Sequence, residues 1–154
     1  ESNLMRTKLL ILLTITCFFY GCKKDEFNTK PTLAFGEVNS RELRQGNLLI
    51  FSLNFTDKEG DIQDTLWVQK ISKTCPTTPG VQFISPNRVP DFTGTPNLKG
   101  KLEVTFVYNA NVPGTPSIVG CNNRNDTSYF RFWLKDKANN RSDTISSPDI
   151  ILIR

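Results

Sequence analysis

The chain has 154 residues, 19 Lys and Arg against 15 Asp and Glu, a formal net charge of +4, and no histidine. The missing histidine excludes Ser-His-Asp and Cys-His nucleophile systems and any histidine metal site. The basic residues are scattered rather than gathered into a stripe, which argues against nucleic acid as a partner. Phe is abundant, with Val, Ile and Thr close behind, a composition that favours strands.

Taken in order, Glu1–Leu4 precede Met5 and read as an upstream extension. Arg6 and Lys8 then lead into the uncharged run Leu9–Tyr20, followed by Gly21, Cys22 and the charged Lys23-Lys24-Asp25-Glu26. This is the layout of a secretory signal peptide. A run of about 12 apolar residues falls short of the roughly 20 that span a bilayer. An ordinary cleaved signal would want small residues where Phe19 and Tyr20 stand, and an uncleaved anchor would be short. The cysteine directly after Gly21 resembles the lipid-attachment site of bacterial lipoproteins, which implies an acylated Cys22 as the mature N-terminus. Cys17, followed by Phe18-Phe19, would leave an apolar terminus and fits less well. The run after Cys22 resembles the charged tag of Bacteroidota-type lipoproteins, which implies an outer-membrane location and surface display. One acyl chain holds a protein only weakly, and the resemblance implies several on Cys22.

Beyond Cys22 there remain 132 residues, enough for one domain. Residues 23–31 are polar and aperiodic and read as a tether reaching at most about 30 Å. Residues 32–154 form the domain. Leu33–Val38 alternates as a first strand. A turn at Arg44–Asn47 precedes a second strand with Leu49, Phe51, Leu53 and Phe55 on its buried face. Thr56–Gln63 is an acidic loop around Gly60. Asp64–Ile71 is a third strand, with Leu66 and Val68 on one face and Trp67 and Gln69 on the other. Val81–Ile84 is a short fourth, and Ser85–Gly100 a long connection. Lys101–Tyr108 is a fifth strand, Asn109–Thr127 a second long loop, and Ser128–Lys135 a sixth strand burying Phe130, Phe132 and Leu134. Ser142–Ile153 is the last, interrupted near Pro148 as suits an edge. Seven short alternating strands with turn signals between them predict an immunoglobulin-like antiparallel β-sandwich, with a small barrel as the alternative.

In such a sandwich the loops after the third and fifth strands share the end away from the N-terminus. With Cys17 leaving in the signal and Cys22 carrying lipid, Cys75 and Cys121 remain, one in each of those loops. They are expected to form a disulfide in an oxidising compartment, with unpaired thiols as the alternative.

Three segments carry a further resemblance. Phe55-Thr56-Asp57-Lys58-Glu59-Gly60-Asp61-Ile62 resembles the F-x-D-x-D-G-D loop of small Bacteroidota-type surface lipoproteins of unknown function. Leu98-Lys99-Gly100-Lys101-Leu102-Glu103-Val104 is similar to their mid-domain strand. Phe132-Trp133-Leu134-Lys135-Asp136-Lys137-Ala138-Asn139-Asn140-Arg141-Ser142 resembles the D-x-A-G-N-x-S turn of bacterial immunoglobulin-like domains, with Asn139 for the usual Gly. Asn tolerates a left-handed backbone better than most residues. The resemblance implies a module type and no chemistry.

Two constellations remain. Asp57, Glu59 and Asp61, with Asp136 in the loop expected beside them, offer oxygens of the kind calcium takes. The spacing is not an EF-hand, and the plainer reading is a solvated turn whose Gly60 supplies positive φ. A structural calcium ion is the cofactor the other reading implies. Trp67, Trp133 and Arg131 are expected to share an outward face and to form a binding surface. The plainer alternative is that the two indoles pack on each other or one lies in the core. Asp64-Thr65-Leu66 and Asp143-Thr144-Ile145 each resemble a short bacterial O-glycosylation motif. The chain is thus expected to be a non-enzymatic, lipid-anchored envelope module that binds a protein or glycan or acts as a spacer. The alternative is a small carboxylate-dependent glycan hydrolase.

Overall fold

The computed structural model of the chain describes residues 29–154. The signal, Cys22 and most of the tether lie outside the described residues. The elements in order are β1 (Thr32–Val38), β2 (Glu42–Leu43), β3 (Leu48–Asp57), β4 (Thr65–Ser72), β5 (Phe83–Arg88), β6 (Leu98–Tyr108), β7 (Ser117–Ile118), β8 (Asp126–Lys135), β9 (Ile145–Ser146) and β10 (Ile150–Leu152). They make two sheets, β1-β3-β6-β7 and β2-β10-β8-β4-β5, with β9 also paired to β8. This is an immunoglobulin-like sandwich whose fourth long strand, β5, extends the β8-β4 sheet.

The inward faces follow the alternation. Leu49, Phe51, Leu53 and Phe55 of β3 meet Leu66 and Val68 of β4 and Phe130, Phe132 and Leu134 of β8 in one core. Phe51 sits at its centre, with ring centroids 4.8 Å from Phe130 and 5.1 Å from Phe132. Such tilted aromatic pairs add to the burial of their area.

The long connections carry more structure than their composition suggests. β5 runs on to Arg88 with Pro86 inside it, tolerated because β5 is an edge and the missing N–H faces no partner. The second long loop contains β7, parallel to the end of β6. The last strand is two short pieces, β9 and β10. Around them serine side chains complete the ladder. The N–H of Phe130 donates to Ser147 Oγ at 2.9 Å and that of Leu134 to Ser142 Oγ at 2.8 Å.

Cys75 and Cys121 are joined, with Cα atoms 6.0 Å apart, within the usual disulfide range. Beside the disulfide, Lys70 and Asp126 are both fully buried and paired at 2.8 Å.

Candidate functional site

At the end opposite the disulfide, β3 closes on Asp57 and β8 gives way to Asp136. The antiparallel register of β4 with β8 sets Thr65 against Lys135, so the connections leaving β3 and β8 lie side by side. Each folds around its first aspartate. Asp57 Oδ2 accepts the N–H of Gly60 at 2.6 Å and of Asp61 at 3.0 Å. Gly60 takes φ 73°, the left-handed conformation glycine enters without penalty. Asp136 Oδ1 accepts the N–H of Asn140 at 2.7 Å, Oδ2 accepts Asn140 Nδ2 at 2.9 Å, and Asn139 takes φ 68°. These are the side-chain-closed turns that Asp forms readily. The N–H of Lys137 donates to the carbonyl of Asp61 at 3.0 Å and joins the two turns.

The result is a cluster of three carboxylates. Asp57, Asp61 and Asp136 each bring one oxygen within 4.8 Å of the others. Asp57 and Asp136 are fully buried, and Oδ1 of Asp57 and Oδ1 of Asp61 are buried without a hydrogen-bond partner. Burial raises the Asp57 carboxyl above its ordinary value. Its two backbone hydrogen bonds oppose this, and the charges of Asp61 and Glu59 add to it.

Glu59 is not part of the cluster, contrary to the expectation from spacing. The turn around Gly60 draws Asp57 and Asp61 inward and leaves Lys58 and Glu59 exposed on its outside. Asp64 also stays apart, taking Thr65 Oγ1 at 3.2 Å and Lys135 at 3.8 Å. Over the turn lies the connection between β5 and β6, packed so closely that a Cβ on Gly60 would sit 2.2 Å from the carbonyl oxygen of Thr95. Gln63 Nε2 bridges the carbonyls of Gly60 and Phe92 at 3.1 and 3.2 Å.

The second expected site lies on the outer face of the β8-β4 sheet. Trp67 and Trp133 are directly opposed in register. Their rings stack at 5.9 Å with 6° between planes. The Arg141 guanidinium lies 4.7 Å from the Trp133 ring centre. Both indoles are half-buried, while Arg131 is exposed. The indoles therefore pack on one another, and the face they leave is continued by the half-buried Tyr129 and by Ile84, which is 56% exposed.

Sequence reasoning missed the group around Asp126. Lys70 Nζ donates to Asp126 Oδ2 at 2.8 Å and to the Val81 carbonyl at 2.9 Å. Ser72 and Ser128 hydroxyls donate to Asp126 at 2.5 and 2.8 Å. Burial pushes the Lys70 ammonium below its ordinary value against the pull of Asp126. The signal was present: Leu66, Val68, Lys70 and Ser72 share one face by alternation, which sets Lys70 inward.

No protein-family model matches the chain, and no curated protein matches it. Among solved structures it is similar to Spo0M, a sporulation control protein of Bacillus subtilis, at 12% identity and a TM-score of 0.42. The match covers 81% of this chain and 50% of Spo0M, so the chain spans about half the length of that protein. A likeness that distant transfers neither fold nor function.

Proposed function

We propose that the chain is a lipid-anchored module of the cell envelope, held by acyl chains on Cys22 and displayed at the outer surface as a Bacteroidota-type lipoprotein. Its role is to bind a protein or glycan partner through the outer face of the β8-β4 sheet. The observation that carries the binding role is that face: a stacked pair of half-buried indoles with exposed Arg131 and Ile84 beside it. Aromatic and arginine side chains that are already ordered lose little entropy on binding and are enriched at interfaces. The disulfide supports an oxidising compartment, as the signal layout requires.

The competing reading, a glycan hydrolase, needs two carboxylates facing across a cleft about 5–9.5 Å apart. The clustered aspartates are instead held within 4.8 Å, two of them fully buried. Three of the surface depressions are lined by one carboxylate each, Glu42, Asp64 and Glu103.

Two measurements test the proposal. Intact mass of the membrane-extracted protein is expected to give an acylated Cys22 terminus, and a soluble chain beginning elsewhere ends the anchor. Capture of envelope proteins and glycans is expected with the natural chain and lost with Trp67→Ala/Arg131→Ala. Equal capture by both forms would remove the face from the function.

A further inference from the structure

We infer that Asp57, Asp61 and Asp136 form a structural site for a hard divalent cation, calcium by its donor chemistry, which clasps the β3–β4 connection to the turn after β8. Three observations carry this independently of the anchor and of any partner.

The first is convergence. Two connections far apart in sequence bring three carboxylates together, with one oxygen of each inside a 4.8 Å span. Calcium–oxygen bonds of about 2.3–2.6 Å let one ion bridge such a span. The second is the pair of orphaned atoms. Asp57 is fully buried, yet its Oδ1 accepts no hydrogen bond, and neither does the buried Oδ1 of Asp61. A buried carboxylate oxygen with no partner is costly and needs an explanation. The nearby donors are already engaged elsewhere: the N–H groups of Gly60 and Asp61 go to the other oxygen of Asp57, the N–H of Asn140 goes to Asp136, and Asn140 Nδ2 donates to Asp136 and to the Thr29 carbonyl. The third is that no side-chain cation takes the place. Among the described residues no Lys or Arg is ion-paired to Asp57, Asp61 or Asp136, and Lys58 and Lys137 are exposed.

The donor set decides the ion. It is all oxygen, with neither the imidazole nor the thiolate that zinc or copper would select. Calcium accepts six to eight oxygens in flexible geometry, and three carboxylates with water and backbone carbonyls can meet that number. A second grouping of Cys75, Cys121 and Asp126 is no rival, because its sulfurs are joined in the disulfide. The chain enters the domain at this end: Asn140 Nδ2 donates to the Thr29 carbonyl at 3.4 Å, and Lys30 pairs with Asp143 at 2.6 Å. A bound ion would therefore stiffen the part of the domain nearest the tether.

The test is thermal unfolding of the disulfide-bonded mature chain in EDTA, then in millimolar calcium, in magnesium, and in sodium chloride of matched ionic strength. Ligand binding to the folded state alone must raise Tm, by about 5 °C at ten times Kd for a domain of this size. The rise is expected with calcium and absent with sodium. It should be lost in Asp61→Asn and kept in Asp64→Asn, whose carboxylate stands outside the cluster. In EDTA, Asp61→Asn is expected to be at least as stable as the natural chain, because it removes repulsion and adds a donor. This separates a ligand from a merely structural residue. Titration calorimetry of the natural chain with calcium gives a second readout that needs no variant. No heat and no Tm rise with calcium overturns the site, a rise with magnesium alone overturns the calcium assignment, and an equal rise with sodium reduces it to charge screening.

Discussion

The two ends of this sandwich bury carboxylates in opposite ways. At the disulfide end Asp126 is fully buried with a buried ammonium and two hydroxyls on it. At the other end Asp57 and Asp136 are as fully buried, with backbone and amide donors on three of their four oxygens and, among the described residues, no Lys or Arg paired with them. The first end is completed by the sequence alone. At the second, two like charges about 4 Å apart repel by about 4 kcal/mol at an effective dielectric near 20, a load that an ion from outside can relieve. Burial of an acid thus says little until its partners are counted.

The largest expected effect breaks the self-sufficient end. Removing one member of a buried ion pair leaves the other charge without compensation, which costs about 3–5 kcal/mol. Lys70→Met is expected to lower urea-unfolding stability by that amount. Lys70→Met/Asp126→Leu should recover part of the loss, the rest being the hydroxyls of Ser72 and Ser128 left without an acceptor. A change below about 1 kcal/mol in Lys70→Met would mean the pair behaves as a surface contact. Next comes the disulfide, which spans 46 residues. Replacing both cysteines by alanine is expected to cost about 4 kcal/mol in the chain-entropy model, read from the same urea curves.

Gly60→Ala tests the open end through its backbone. Left-handed φ in a residue with a Cβ costs about 1–3 kcal/mol, before the contact with Thr95 is counted. Stability is expected to fall by at least that much and the calcium response to weaken with it, because the turn that gathers Asp57 and Asp61 would open. A normal calcium response in a destabilised Gly60→Ala would show that the carboxylates converge without the turn.

What the sequence made legible follows the same division. The strands with clean alternation, β3, β4 and β8, could be read because each has one dry face. Their loops could be sorted by end, which brought the cysteines together and Asp57 near Asp136. Two-residue β2 and β7 could not be read, since two residues hold no period and each pairs in parallel, β2 with the distant β10 and β7 with the end of β6 just before it. Nor could the reach of β5 past Pro86, which only its edge position permits. Spacing groups Glu59 with Asp57 and Asp61, but spacing in sequence does not tell which side of a turn a residue occupies; the φ of Gly60 decides that. The role of Lys70 is hidden because alternation suggests strand edges at Ile71 and Ser128, which cut Ser72 and Asp126 from the faces they complete.

The smallest expected effects lie on the surface, and they check that the contrast belongs to buried groups. Each end also carries an exposed ion pair: Lys30 with Asp143 where the chain enters, and Lys73 with Asp149 near the disulfide. Their side chains are about half or more exposed, and such pairs contribute roughly 0–1 kcal/mol because solvent screens them and ordering long side chains opposes them. Lys73 also lies 5.5 Å from the Tyr129 ring centre, worth about 0.5–1 kcal/mol at an exposed site. Lys73→Ala is therefore expected to be the slightly larger of two small losses, and Lys30→Ala to be close to zero at 0.15 M salt, where the Debye length is about 8 Å. Urea curves at low and high salt check both. If Lys30→Ala instead lowered stability by as much as Lys70→Met, the entering chain would be a fastened part of the domain, and the difference between the two ends would lie in that strap rather than in how each buries its acids.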